Sequence, residues 1–207
     1  MDEAVRARVA EAVRAAEAGS RGQLVPVVVE KSDAYPETRA RGALLLAALA
    51  TAAVLGLRLP LTLPELVLIQ VLAGGLGALL SLWDPLERRL AGARALDEAV
   101  RARAVRAFHE HGLHRTAEGT GVLVFASLFE REAVILGDRG IDARLPPGEW
   151  DRAVAALVAG LRAGDPGRGF VEAVGLCGAR LAEHFPRGPG GGAQPNELED
   201  GLRASRD

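Results

Sequence analysis

The sequence has little cysteine, almost no net charge and none of the common nucleotide-binding motifs. Its one cysteine, Cys177, excludes an intramolecular disulfide and a cluster of thiolate metal ligands. The net charge is −2, and the arginines are not interleaved with aromatic residues, which argues against a nucleic-acid-binding surface. A phosphate-binding glycine loop, a dinucleotide fingerprint and a serine nucleophile elbow are also missing. We therefore expect no nucleic acid among the partners.

Charge is also absent from two long apolar runs, residues 43–57 and 66–83. Helices of about 17 to 19 residues span about 25 to 29 Å, close to the ~30 Å hydrocarbon core of a bilayer. Pro60 and Pro64 bracket the short link between the runs, where a reversal is favoured. The pattern predicts a transmembrane helical hairpin over residues 43–83, with the lipid bilayer as partner. A buried hairpin in a soluble protein and a re-entrant hairpin are the alternatives.

Basic residues beside the two spans predict the orientation of the hairpin. Arg39 and Arg41 precede the first span, and Arg88 and Arg89 follow the second, whereas the link contains only Arg58. Lysine and arginine are enriched in cytoplasmic segments, so both ends should face the cytoplasm. The amino terminus is charged and lacks an apolar signal-peptide core, which makes the hairpin internal.

The remaining chain alternates between helical and strand patterns. We expect a discontinuous α/β domain over residues 1–41 and 86–186, followed by a flexible polar tail at 187–207. Its helices are predicted at 2–18, at 85–111 with a division near Gly92, at 149–162 and at 170–184. Its strands are predicted at 23–30, 121–128 and 132–136. A helical crossover makes the first two strands parallel, and a hairpin makes the third antiparallel. Pro26 suggests an edge or a bulge in the first strand.

Three segments in this order carry a resemblance to a known family. They are AEAGSRGQLVPVVVEKSDAYPE at 16–37, TGVLVFASLFEREAVILGDRGI at 120–141 and FPRGPGGGAQPNELED at 185–200. They resemble the TPM domain, and more closely bacterial TPM-domain membrane proteins that carry a short transmembrane insertion. The resemblance covers residues 3–41 and about 104–200. It implies a small layered domain, with helices packed on a short mixed sheet and a transmembrane helical hairpin interrupting it, at the bacterial inner (plasma) membrane.

The resemblance also implies activities. Some members are linked to acid phosphatase activity and divalent-ion binding, and others act in photosystem repair or as receptor auxiliary factors. Members with the phosphatase or metal claim usually carry Asp-Asn-Gly just before the second strand. Here the matching positions are Glu118-Gly119-Thr120-Gly121, so the aspartate is missing, which argues against the phosphatase.

Carboxylates predict one candidate site at the end of the domain distal to the hairpin. Glu118, Asp138 and Asp142 lie in loops at the amino ends of the parallel strands, where they could form a cluster for a hard cation, Ca²⁺ or Mg²⁺. The alternative is a set of solvated loop residues in which Asp138 pairs with Arg139. No other cofactor is predicted. The offsets of His109, His111 and His114 do not place them on one helical face, and Cys177 lies on an apolar stripe.

The leading hypothesis is a membrane-anchored, cytoplasm-facing binding or assembly module. Its first rival is a metal-assisted phosphatase that uses Glu118 and Asp138. Its second rival is a structural membrane subunit, which would copurify with a protein partner. Enzymatic activity thus depends on whether Glu118 can replace the missing aspartate.

Overall fold

The computed structural model describes residues 2–116, 119–187 and 201–205. Within these residues the chain forms eight helices and four strands. In chain order they are α1 (Glu3–Ala18), β1 (Gln23–Val29), α2 (Glu37–Gly56), α3 (Leu63–Leu80), α4 (Asp84–Ala91), α5 (Ala93–Glu110), β2 (Gly121–Ser127), β3 (Glu132–Gly137), α6 (Arg139–Asp142), α7 (Asp151–Arg162), α8 (Pro166–His184) and β4 (Arg203–Ser205). The chain divides into unit 1, Met1–Ser32 with Glu98–Asp207, and unit 2, Asp33–Asp97.

Unit 1 is built on a mixed sheet with the strand order β3-β2-β1-β4. β1 and β2 are parallel, from Gln23 opposite Gly121 to Val29 opposite Ser127. β3 is antiparallel to β2, as the short hairpin predicted. This register confirms the parallel pair, which the long crossover between β1 and β2 predicted from the sequence.

β1 and β2 are apolar on both faces, so helices cover both faces of the sheet. Three helices cover the first face. The core on this face joins inward side chains of the sheet to α1, α7 and α8. Its main members are Val9, Val13, Leu24, Val28, Val122, Val124, Leu157, Phe170, Val174 and Leu181. Cys177 belongs to the same core and is fully buried. Burial raises the pKa of its thiol to about 12, so it is an inert packing residue.

The opposite face of the sheet packs on α5 and on a 3₁₀ turn, Leu113–Arg115. Alternate side chains of β1 and β2, among them Val25, Val27 and Phe125, point to this side. On α5 the contacts come from Val100, Ala104, Ala107 and Phe108. Unit 1 is therefore a three-layer α/β/α domain, in agreement with the predicted small layered fold.

Unit 2 contains the two apolar helices. α2 and α3 approach closely where Gly42 and Gly77 meet, and a Cβ atom at Gly77 would lie 2.9 Å from the Cβ of Leu46. The Gln70 side-chain amide donates to the Thr51 hydroxyl at 3.0 Å across the pair. At the link, Thr62 and Glu65 form a capping box that starts α3. Both helices are long and apolar enough to cross a membrane.

The structure differs from the expectations in three places. The polar tail was expected to lack structure, yet Arg203–Ser205 pairs with β1 as a parallel strand. The rest of the tail, residues 188–200 and 206–207, lies outside the described residues. The short helix α6 was not expected. Pro26 causes no bulge, because the register with β2 runs through it without a break, and β4 pairing begins only at Val27.

Candidate functional site

Two of the predicted metal ligands, Asp138 and Asp142, lie where β3 ends and α6 begins. Asp138 is the N-cap of α6, and its Oδ1 accepts from the Arg139 backbone N–H at 2.7 Å. Its own backbone N–H donates to the Gly121 carbonyl at 2.9 Å, which fixes the turn against the start of β2. Burial raises the pKa of Asp142 above its usual value, and the charge of Asp138 raises it further. The two carboxylates therefore share one electrostatic environment.

The loop before β2 approaches these carboxylates at Gly119. Gly119 has a φ of +64°, and a Cβ atom there would lie 3.5 Å from Asp138 Oδ2 and 3.2 Å from the Gly140 N. Such a position favours glycine, because other residues are strained at positive φ. Glu118, the third predicted ligand, lies outside the described residues. A three-residue cluster of metal ligands does not occur among the residues that are described, and the site built on Glu118 stays a prediction.

Thr120 fixes the loop on its other side. Its hydroxyl donates to the Arg21 carbonyl at 3.0 Å, and its backbone N–H donates to the Thr116 hydroxyl at 3.1 Å. The side chain is 4% exposed, so these bonds tie the entry of β2 to the entry of β1. Thr120 is therefore held in place at the entry of β2.

The histidines do not converge on one point. The rings of His109 and His114 pack edge to face, with 5.2 Å between their centroids. His111 instead lies beside β4, where its Nδ1 is 2.8 Å from Arg203 Nη1. The pKa of His111 is lowered, chiefly by burial and next by the charge of Arg203. This places His111 at the joint between α5 and β4 rather than in a metal site.

The opposite end of the sheet contains a polar cluster that the sequence analysis missed. The Ser32 N–H donates to Glu130 Oε1 at 2.9 Å. The Ser32 hydroxyl donates to Ser127 Oγ at 2.9 Å, and the Ser127 hydroxyl in turn donates to Glu130 Oε2. All three residues are buried. The cluster joins the carboxyl ends of β1 and β2, the edge where α/β sheets commonly bind ligands.

The turn between β2 and β3 explains how Glu130 reaches this cluster. Ser127 and Glu130 bracket the β2–β3 turn, and Arg131 in that turn has a φ of +56°. Its backbone N–H donates to the Ser127 carbonyl at 3.0 Å, which folds Glu130 back over the strand end. Ser32 and Glu130 are 98 residues apart along the chain, so no local sequence pattern connects them.

The basic residues predicted to flank the hairpin lie on helices of unit 2. Arg39 and Arg41 are in the first turns of α2, and Arg88 and Arg89 are in the last turn of α4. Arg41 Nη1 donates to the carbonyl of Leu90 at 2.6 Å and to that of Ala91 at 3.0 Å. These two carbonyls end α4, so Arg41 has a capping role in addition to its predicted role as an anchor.

Comparisons with known proteins give one family match and one structural match. The model of the TPM domain matches residues 89–180. The chain is similar in structure to the BA42 protein of the psychrophilic bacterium Bizionia argentinensis, solved by NMR, with a TM-score of 0.60 and 18% identity over 99% of this chain and 95% of that one. At that identity the likeness establishes the fold. None of the curated proteins compared with the chain matches it. Residues 89–180 therefore match the TPM domain, as the sequence motifs indicated.

Proposed function

We propose that the protein is a membrane-anchored TPM domain that works as a binding or assembly module on the cytoplasmic face of the bacterial inner membrane. One observation carries the proposal: α2 and α3 expose most of their large apolar side chains. The most exposed within these two helices are Leu44, Leu55, Leu63 and Val71, at 66% or more. An exposed apolar surface of this extent is unfavourable in water and is usually covered by protein or lipid. Lipid fits two charge-poor helices of 20 and 18 residues.

The same helices differ from buried helices of a soluble core. Only 6% of the most apolar window of each helix is buried within the chain, whereas core helices of soluble proteins are mostly buried. Polar side chains within the pair bond each other, as Gln70 and Thr51 do, instead of pointing outward. This pairing matches helices in lipid, where an unsatisfied polar group is costly.

Extraction of membranes tests the anchoring. The full-length protein should stay in the pellet after alkaline carbonate treatment and enter solution only with detergent. Release of the protein into the carbonate supernatant would contradict the anchoring.

Thiol labelling tests the orientation. We expect Leu59→Cys, in the link, to react with a membrane-impermeant maleimide in spheroplasts, and Asp151→Cys, on α7, to react only after lysis. Both positions are exposed, and the buried Cys177 serves as an unreactive background. The reverse pattern would place the TPM domain on the other side of the membrane.

A second candidate is the divalent-metal phosphatase, which the paired carboxylates Asp138 and Asp142 favour. Burial, and next the charge of Asp138, raise the pKa of Asp142. Ca²⁺ and Mg²⁺ take oxygen ligands, and a cation would offset the repulsion between the two carboxylates. Calorimetric titration of the detergent-solubilised protein with each ion tests it, with p-nitrophenyl phosphate turnover on the same sample. Turnover that Asp138→Asn abolishes and the exposed control Asp151→Asn retains would replace the binding module with the enzyme.

A further inference from the structure

A pocket of about 260 Å³ opens at the joint between the end of α1 and the start of β1. Its lining is unusually rich in guanidinium groups, with Arg14, Arg21 and Arg187 set against one carboxylate, Glu17. Three cations against one anion give the lining a charge of +2. A pairing of Glu17 with one arginine leaves the net charge of the lining at +2. The pocket therefore attracts an anion.

The backbone around this arginine pocket is tied in place by hydrogen bonds. An isolated bridge between Ser20 and Pro186 joins the end of α1 to the end of α8. The Arg21 N–H donates to the Phe185 carbonyl at 3.0 Å, and the Arg187 N–H donates to the Gly19 carbonyl at 3.4 Å. The pocket therefore brings together arginines from two distant parts of the chain on a fixed frame.

Two further contacts define the orientation of the charged groups. Arg187 Nη2 donates to the Glu17 carbonyl at 3.3 Å, which holds this guanidinium on the last turn of α1. Glu17 Oε1 accepts from the Leu24 backbone N–H at 2.7 Å, so the carboxylate is directed toward β1. Gly22 forms part of the lining, and a Cβ atom there would lie 2.8 Å from Leu181 Cδ1.

Gln23 adds a second kind of signal to the lining. Its Oε1 atom is buried and accepts no hydrogen bond from the described residues. A buried acceptor without a donor costs about 1–3 kcal/mol, so Gln23 Oε1 calls for a donor that the described residues do not supply. An acceptor beside an excess of cations matches a ligand that has an anionic group and a neighbouring hydroxyl donor.

We propose that the arginine pocket binds a phosphate ester that carries a free hydroxyl, of the glycerol phosphate type. Guanidinium groups bind phosphate oxygens in a bidentate manner, and the Gln23 Oε1 accepts from the ligand hydroxyl. This proposal rests on the binding role proposed above and names its ligand. The same chemistry occurs in a soluble polyol phosphate and in the headgroup of phosphatidylglycerol.

Calorimetry of the full-length protein in an uncharged detergent tests the pocket with sn-glycerol 3-phosphate as the probe. We expect saturable binding that Arg14→Gln and Arg187→Gln each weaken about tenfold or more, since each removes a charge-assisted contact. Both residues are exposed, so the variants should fold. Arg8→Gln, on the same helix but outside the pocket lining, is the matched control and should bind like the wild type.

Two further measurements separate the parts of the proposal. Gln23→Leu should lower the affinity for glycerol phosphate to that for inorganic phosphate, because the hydroxyl acceptor is lost. Short-chain phosphatidylglycerol in the micelles, compared with phosphatidylcholine, should displace glycerol phosphate if the lipid is the source; failure to displace assigns the soluble ester. Absence of saturable binding for both ligands, or an equal loss in Arg8→Gln, would overturn the pocket.

Carbonate extraction of the same variants separates this result from the anchoring. A protein that stays in the membrane pellet but binds neither probe contradicts the pocket alone. A protein that binds the probe but leaves the pellet contradicts the anchor alone.

Discussion

At the scale of single residues, Glu130 supports the carboxyl end of the sheet. Both of its oxygens accept hydrogen bonds, one from the Ser32 N–H and one from the Ser127 hydroxyl. The side chain comes from the β2–β3 turn and reaches the residue that ends unit 1 before the insertion. Loss of its carboxylate leaves two buried donors without this acceptor.

We expect Glu130→Ala to lower the free energy of unfolding of unit 1 by about 1–3 kcal/mol, the usual cost of unsatisfied buried donors. Urea unfolding measures it through Trp150 fluorescence in a Trp83→Phe background, since the chain has two tryptophans. Glu132→Ala, two residues along and only half-buried, is the matched control. Equal losses in both variants would show that the cluster contributes nothing specific.

His111 predicts a pH dependence of stability. Its pKa in the folded state is lowered from the usual 6.5, so the unfolded chain takes up the proton first as the pH falls. Stability should be complete above pH 6.5 and decline below it until the lowered folded-state pKa is reached. His111→Gln, which keeps an acceptor for Arg203, should remove this part of the decline, measured as unfolding free energies between about pH 7.5 and pH 5. The control His114→Gln should keep it.

At the scale of elements, the contact between α2 and α3 depends on two glycines. A Cβ atom at Gly77 would lie 2.8 Å from the Gly42 carbonyl carbon, closer than packed atoms tolerate. Gly75, two residues earlier on α3, has no heavy atom within 4 Å of its Cβ position. The two positions therefore separate helix packing from helix propensity.

Gly77→Ala should weaken the hairpin by about 1–3 kcal/mol, the usual cost of overpacking. Titration with sodium dodecyl sulfate, followed through Trp83 fluorescence in a Trp150→Phe background, should show unfolding of unit 2 at a lower detergent fraction. Gly75→Ala should unfold like the parent. A Gly77→Ala protein as resistant as Gly75→Ala would mean that the helices do not pack at this crossing.

Elements with strong local patterns were predictable, and those that depend on distant partners were not. The valine run of β1 and the division of the helices at Gly92, which has a φ of +84°, followed from the sequence. β4 did not, because three residues after a Gly/Pro-rich stretch have no periodicity, and only the edge of β1 makes them a strand. The pair Asp138 and Asp142 was found from topology, whereas the Ser127–Glu130 bond needed the turn geometry.

At the scale of the whole molecule, both hydrophobic cores of unit 1 are built from residues of unit 1. Both hydrophobic clusters consist of residues before Ser32 or after Glu98. The insertion, residues 33–97, supplies none of their buried side chains. Unit 1 should therefore meet the usual condition for independent folding, a closed core of its own.

Replacement of residues 33–97 by a flexible Gly/Ser linker of about 10 residues should give a soluble protein that unfolds cooperatively in urea. The measurement is its recovery without detergent, together with amide dispersion in an NMR spectrum. A second linker of about 20 residues controls for strain at the junction. Aggregation of both versions would show that unit 1 needs the insertion to fold.

The position of β1 also sets an order of events during synthesis. β1 ends at Val29, but its partner β2 ends at Ser127, and its other partner begins at Arg203. A ribosome has therefore made both apolar helices before the first strand can pair with β2 or with β4. Until then the six residues of β1 that are buried in the folded protein stay exposed and prone to aggregation. Maturation of this protein should therefore depend on chaperones that act during translation.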